Sequence, residues 1–230
     1  MSVEQEKKAA AEAAADLVQN GMMIGLGTGS TVYYLLPALA ARGLDLRSVS
    51  TSPATEHAAR ELGLRVESFR GAGAVAKLDI AIDGADQVAP SGWLVKGGGA
   101  AHTHEKAVAA AADRFVVIVS SNKLTEHLAP PVPLELLEFG LAATLARLET
   151  VRLRDVPPSP DGGIIADFIG AVDDPADLAA RLSATVGVVE HGLFPPEIVS
   201  DVVVARGEDV THVSLRDSPD GLRQWLLVGS

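Results

Sequence analysis

Lys96, the glycines at 97 to 99 and Glu105 fall within one short stretch, VKGGGAAHTHEK, from Val95 to Lys106. Consecutive glycines are costly in a helix or strand, because each loses more backbone entropy on folding than another residue would. Such a run marks a place where bare backbone must approach something. Glycine amides followed by a helix N-terminus form a concave set of N–H donors backed by the positive end of the dipole, so the expected occupant is an anion. Glu105 stands in the first turn of the helix that follows. The dipole is expected to hold it charged there, as suits a carboxylate that must take a proton.

A second group of chemically able residues is Asp83-Gly84-Ala85-Asp86, at the end of the run Leu78 to Ile82, apolar apart from Asp79, and ten residues before Lys96. Two aspartates could hold a divalent cation, but the nearby lysine competes for the same charge, and no metal is expected. Lys123 closes the stretch Ser120-Ser121-Asn122-Lys123, again directly after an apolar run. His102 and His104 are two apart and do not share a helix face, so a structural or solvent-facing role is expected for them. The glycines at 25, 27 and 29 lack the G-x-G-x-x-G spacing. The next strand, near Val49, ends in Ser50-Thr51-Ser52 with no acid for a ribose hydroxyl, which argues against a dinucleotide. No Walker A motif is present, and no Ser-His-Asp arrangement is suggested by spacing.

These residues need elements that bring them together. Ser2 with Gln5 reads as a capping box for a helix to about Asn20. A strand Met22 to Gly27, the turn Thr28-Gly29-Ser30-Thr31 and a helix Val32 to Arg42 form half of a βαβ unit. Ser52-Pro53 starts a helix to Leu62, Leu64 to Phe69 reads as a strand, and Gly71 to Ala76 as a flexible loop. A helix to about Ala112 and a strand Phe115 to Val119 follow the glycine run. Five times a strand's carboxyl end meets small, hydroxylated, acidic or lysine residues: Thr28 to Thr31, Ser50 to Thr55, Asp83 to Asp86, Lys96 to Gly99 and Ser120 to Lys123. In an open parallel sheet such ends share one edge, and one pocket would collect them.

Composition agrees with an α/β protein: 230 residues, 47% hydrophobic but 4% aromatic, suit a covered parallel sheet. A net charge of -11 with no basic run excludes a nucleic-acid partner. It also means that an anion site must be built from local donors. The absence of cysteine removes disulfides, thiolate metal sites and cysteine nucleophiles. The N-terminus reads as an amphipathic helix rather than a signal sequence, and no apolar run is long enough to span a bilayer, so no membrane contact and a cytoplasmic location are expected.

The proline cluster at Pro130, Pro131 and Pro133 is the clearest composition break. Residues 1–130 are expected to form a Rossmann-like domain with a mostly parallel sheet. Beyond it a helix from about Leu134 to Leu148, strands Thr150 to Arg154 and Ile164 to Ile169, a helix Pro175 to Thr185 capped by Asp174, and a strand Val186 to Glu190, together with a short strand before Leu134, would make a smaller ferredoxin-like α+β domain over 131–207. Residues 208–230, with strand-like Leu222 to Val228, are expected to return to the first domain.

Taken together and in order, GLGTGST (25 to 31), TSPATE (51 to 56), DIAIDGADQV (79 to 88), LVKGGGAAHTHEK (94 to 106) and SSNKL (120 to 124) resemble the A-type ribose-5-phosphate isomerases. The likeness continues through DGGIIAD, DPADLAARL and GVVEHGLF, covering nearly the whole chain. The resemblance implies a Rossmann-like and a ferredoxin-like domain and a homodimer or homotetramer. It also implies cofactor-independent interconversion of D-ribose 5-phosphate and D-ribulose 5-phosphate, in the non-oxidative branch of the pentose phosphate pathway. Thr28, Gly29, Ser30, Thr31 and Lys123 would line the substrate and phosphate site, with Lys7 reaching the phosphate. Asp83, Gly84, Ala85, Asp86, Lys96, Gly97, Gly98 and Gly99 would surround the sugar. Glu105 would be the proton acceptor, Lys96 an oxyanion donor, and Asp83, assisted by Asp86, the group that opens the furanose ring. His104 stands where relatives often carry arginine, and Pro53 sits inside the serine/threonine loop. The alternatives are a non-catalytic sugar-phosphate sensor and a CoA transferase-like enzyme of related fold.

Overall fold

Runs such as FVVIVS are apolar on both faces of a strand and need a cover on each side. The computed structural model, which describes residues 2–216 and Leu222, supplies that cover. The first half of the chain runs α1 (Val3–Ala15), β1 (Met23–Leu26), α2 (Ser30–Ala41), β2 (Arg47–Ser50), α3 (Pro53–Glu61), β3 (Arg65–Val66) and β4 (Ile80–Asp83). It continues through β5 (Gln87–Val88), β6 (Leu94–Val95), α4 (His102–Ala110) and β7 (Phe115–Ser120). The second half holds β8 (Val132–Leu136), α5 (Leu141–Leu148), β9 (Val151–Leu153), β10 (Ile164–Phe168), α6 (Pro175–Ala184), β11 (Val188–His191), β12 (Leu193–Phe194), β13 (Asp201–Arg206) and β14 (Asp209–Ser214).

The main sheet has seven strands in the order β14-β13-β7-β4-β1-β2-β3, parallel throughout except for β14. Alternation along β7 sorts its side chains: Val116 and Ile118 join the core beneath α1 and α2, while Phe115, Val117 and Val119 join the core beneath α4. Alanines at 10, 11 and 14, fully buried, allow α1 to lie close against the sheet and α2. β6 lies outside this sheet, in a three-stranded antiparallel sheet of order β12-β6-β5. Its two residues divide between layers, Leu94 entering the α4 core and Val95 the core of the second unit.

The second unit follows β8-α5-β9-β10-α6-β11 and makes a four-stranded antiparallel sheet of order β11-β8-β10-β9, a ferredoxin-like arrangement. The expected helix from Leu134 is in part a strand. Val132, Leu134 and Leu136 alternate and are fully buried, a period-two pattern, and the helix starts only after Gly140 takes a positive φ of 76°. The N-terminal helix ends at Ala15 rather than near Asn20, and the strand expected over Leu64 to Phe69 is reduced to the edge pair Arg65 and Val66.

The return to the main sheet comes before the expected residue 208. β13, buried over Asp201 to Ala205, runs parallel to β7 in the interior of the sheet, and the 207 boundary falls in the hairpin to β14. A valine-rich run buried on both faces pairs most favourably there. Leu222 packs in the core beside Val202 and Val213, and the rest of the strand expected over Leu222 to Val228 lies outside the described residues.

Candidate active site

Parallel strands deliver their carboxyl ends to one edge, and β1, β4 and β7 place Thr28, Gly84 and Lys123 there. The N-cap of α2 is Gly29, with φ 127° and no side chain to satisfy the first-turn amides. The first-turn N–H groups at Ser30 and Thr31 are thus left without a capping side chain beside the cleft, with the helix dipole behind them, which is what an anion site needs. Lys123 ends a short 3-10 turn, Ser121–Lys123, held from below by Glu6. The buried Glu6 carboxylate accepts from Ser121 N–H at 2.9 Å, Ser121 Oγ at 2.8 Å and Gly207 N–H at 2.8 Å.

Three charged side chains meet beneath this edge. Lys96, 2% exposed, places Nζ 2.9 Å from Asp83 Oδ2 and 3.2 Å from Glu105 Oε2, and donates to Gly84 O. It reaches them from β6 in the small sheet, not from the parallel one as its sequence context suggested. The Lys96 N–H to Gly192 O bond, 2.9 Å, fixes its backbone. Asp83 accepts from the N–H groups of Thr28 at 3.0 Å and Gly84 at 2.7 Å. Glu105 is 4% exposed in the first turn of α4.

Two buried carboxylates around one ammonium cannot both ionise cheaply. Burial pushes the Glu105 carboxyl up to about 8; Lys96 opposes that shift and the Asp83 charge adds to it. Asp83 is raised as well, again by burial against the pull of Lys96. Burial works to lower the pKa of Lys96, but the two carboxylates more than offset it and hold the ammonium charged. The expectation that the helix dipole keeps Glu105 ionised is thus overturned. Loss of solvation in a closed site outweighs a partial charge at a helix end.

The cleft is a cavity of about 90 Å3, lined by Thr28, Gly29, Ser30, Thr31, Gly84, Ala85, Asp86, Lys96, Gly97, Gly98, Gly99, Glu105 and Lys123. Asp83 does not line it; it is 3% exposed and paired with Lys96 at 2.9 Å. Lys7 does not line it either, being paired with Glu4 at 2.6 Å. The Ser50 to Thr55 end stands behind Thr28, whose Oγ1 lies 2.7 Å from Thr51 Oγ1 and donates to Ser52 Oγ at 2.8 Å. A larger cavity, about 580 Å3, opens beside this hydroxyl cluster, lined in part by Phe69, Arg70, His104 and Asp161; Ser50, Ser52 and Pro53 line it rather than the cleft, so the single pocket expected to collect all five strand ends does not include this one.

The histidines have structural places. His102 is fully buried, and burial lowers it to about 4. His104 bridges Thr51 O at 3.1 Å and Asp161 Oδ2 at 2.5 Å, so in place of an arginine it ties the turn before β10 to the hydroxyl cluster. Among the described residues no group of three or more His, Cys, Asp or Glu side chains is arranged to hold a metal ion.

Sequence reasoning missed three polar residues that hold the site from behind. Besides Glu6, Glu135 in β8 accepts from Thr103 Oγ1, two residues before Glu105, and from Ser159 Oγ at 2.5 Å. Arg154, after β9, donates from Nη1 to Gly97 O at 3.0 Å and Gly98 O at 3.1 Å. A lone acid inside an apolar strand, as in VPLEL and IIADF, was the available signal.

Known proteins of similar sequence and fold point to one family. Residues 47–209 match the family model for ribose 5-phosphate isomerase A (phosphoriboisomerase A). The ribose-5-phosphate isomerase A of Caulobacter vibrioides is 42% identical over 229 residues, covering 93% of this chain and 99% of that protein. The crystal structure of ribose 5 phosphate isomerase A from Neisseria gonorrhoeae superposes with a TM-score of 0.87 at 30% identity, covering 93% of this chain and 97% of that one. A D-ribose-5-phosphate isomerase in complex with phospho-erythronic acid gives a TM-score of 0.86 at 35% identity, covering 93% of this chain and all (100%) of that one.

Proposed function

Because the chain belongs to the ribose 5-phosphate isomerase A family, we propose that its cleft performs the aldose-ketose isomerisation with Glu105 as the group that moves the proton. The protein is an isomerase that interconverts D-ribose 5-phosphate and D-ribulose 5-phosphate. The reaction passes a proton between adjacent carbons through an enediolate, so it needs one carboxylate to remove and return it and donors for the oxyanion. The observation that carries the reading is Glu105 itself: buried, 3.2 Å from the Lys96 ammonium, and raised to about 8, close to the pH at which it must both accept and give a proton.

In this reading the phosphate sits on the first-turn amides of α2 and on Lys123. Ser30 and Thr31 add hydroxyls, with Thr28 and Gly29 shaping the wall. Asp86, Gly84, Ala85, Lys96 and the glycines 97 to 99 surround the sugar. Asp83, assisted by Asp86, takes part in opening the furanose ring, acting together with the Lys96 ammonium it pairs with. Lys96 and the glycine amides stabilise the enediolate oxygen. The sensor and CoA transferase readings are not favoured, since the family and the phospho-erythronic acid complex of a relative both point to the isomerase.

Self-association as a homodimer or homotetramer is part of the proposal. It is supported by an exposed apolar patch on the second unit, where Phe139 is 94%, Val186 76% and Leu137 50% exposed. The Leu137 N–H to Gly187 O bond, 2.8 Å, brings the last two together. No helix among the described residues is long and apolar enough to cross a membrane, and a cytoplasmic location is the reading that suits a sugar-phosphate substrate.

The test is proton NMR of the purified protein with ribose 5-phosphate in D2O, with EDTA and no added cofactor. Ribulose 5-phosphate appearing with deuterium at the exchanging carbon is the expected result. Saturable binding without conversion would return the reading to a sensor, and neither binding nor conversion would remove the proposal altogether.

A further inference from the structure

The glycine run is held from the second unit. Arg154 donates to two successive carbonyls, Gly97 O at 3.0 Å and Gly98 O at 3.1 Å, through the same Nη1. Its other nitrogens are committed to the buried carboxylate of Asp167 in β10, with Nη2 at 2.6 Å and Nε at 3.0 Å from Oδ1. Both side chains are largely buried, 16% and 6% exposed, so the guanidinium is fixed in direction.

In a trans peptide the C=O and the following N–H point opposite ways. The first consequence is visible directly. Gly97 O faces Arg154, and the N–H of the same peptide, at Gly98, donates the other way to Asp86 Oδ2 at 2.7 Å. The second peptide is set likewise, with Gly98 O on Arg154, so the Gly99 N–H is turned away from the guanidinium. Among the described residues it has no hydrogen-bond acceptor, and Gly99 lines the cleft. Gly97 O also accepts from the Ala100 N–H at 3.0 Å, closing a turn that holds the first peptide, so it is the second, glycine-to-glycine peptide, free to rotate at little steric cost, whose orientation depends on Arg154.

We propose that Arg154 is a positioning residue for the isomerisation: by clamping the Gly97 and Gly98 carbonyls it presents the Gly99 N–H to the oxyanion that develops on the sugar. The inference rests on the isomerase reading of this cleft. It gives the second unit a catalytic purpose, since the arm that orients the cradle comes from β9 and β10 rather than from the sheet that binds the phosphate. Lysine in place of Arg154 cannot span two carbonyls and a carboxylate at once, because it has one nitrogen where the guanidinium has three.

The test compares Arg154→Met, Arg154→Lys and Asp167→Asn with the parent in steady-state kinetics with ribose 5-phosphate, inhibition by inorganic phosphate, and thermal melting. For Arg154→Met kcat is expected to fall on the order of 10- to 100-fold, less than or equal to the loss of a whole oxyanion donor. The inhibition constant for inorganic phosphate should stay within about twofold, because the phosphate amides belong to α2. Arg154→Lys should recover only part of kcat, and Asp167→Asn, which touches neither the glycines nor the cleft, should lower kcat in the same direction by a smaller factor. If Arg154→Met does not fold, the other two variants decide. Unchanged kcat alongside a lowered melting temperature would make Arg154 purely structural and overturn the inference. Phosphate inhibition weakening in step with kcat would overturn it too, placing Arg154 in phosphate binding. A parent that does not isomerise ribose 5-phosphate defeats the functional reading instead, so the two failures are distinct.

Discussion

Asp83 occupies the space that a side chain on Gly27 would need. A Cβ built on Gly27 lies 2.0 Å from Asp83 Oδ1 and 2.0 Å from its Cγ, so the carboxylate can reach Lys96 only because the residue that follows β1 is glycine. Gly27→Ala is therefore expected to displace Asp83, lower turnover by at least about tenfold and cost about 1–3 kcal/mol of stability from overpacking. Gly27 does not have a positive φ, so backbone strain is not a competing cause. Kinetics and denaturant unfolding of the variant check both numbers.

Glu105→Gln keeps the shape of the side chain and removes the base. Turnover is expected to drop on the order of 10²- to 10⁴-fold or more, with substrate affinity largely retained. A variant that turns over like the parent would transfer the base role elsewhere. Binding measured by calorimetry with the non-reacting phospho-erythronic acid separates lost chemistry from lost structure.

The raised pKa of Glu105 sets a pH profile. The ionised carboxylate is the base, so kcat/KM should rise with pH through about 8 and level off above it. Stability runs the opposite way. A carboxyl raised in the folded state contributes stability that is present below its unfolded pKa, about 4.5, and is lost as pH rises through the folded value of about 8. Removing the opposing cation with Lys96→Met should move the kinetic profile to still higher pH, and Glu105→Gln should flatten the stability slope in this window. Rate and unfolding measurements at several pH values test both signs.

Glu6 joins the first helix to the turn that carries Lys123. Its carboxylate accepts from three donors on two segments. Glu6→Gln replaces one acceptor oxygen by an NH2 group facing donors, and is expected to cost about 1–3 kcal/mol. Because the Ser121–Lys123 turn loses its support, KM for ribose 5-phosphate should rise more than kcat falls. A kcat loss with KM unchanged would count against a role in holding Lys123.

What could be read directly from the chain was local chemistry in sequence order. The lysine, glycine run and first-turn glutamate between Val95 and Lys106 need no long-range contact to be recognised, and neither do the aspartates at the end of β4 or the unbroken apolar run of β7. The ferredoxin-like order was readable for the same reason, since each helix and strand carries its own periodicity. The helix start at Leu134 failed because patterns compete there: Leu134 to Leu136 suit either element until their partners in β10 and β11 are known.

Tertiary structure decided what depends on residues far apart in sequence. Lys96 came to the site from a three-stranded sheet that joins β5, β6 and β12, and Glu6, Glu135 and Arg154 reached it from 32 to 115 residues away in their contacts. The charge state of Glu105 belongs here as well. Its type and place in a helix turn were visible from sequence and argued for an ionised group, whereas its pKa depends on solvent exclusion and on the distances to Lys96 and Asp83, which exist only once β4, β6 and α4 have packed together.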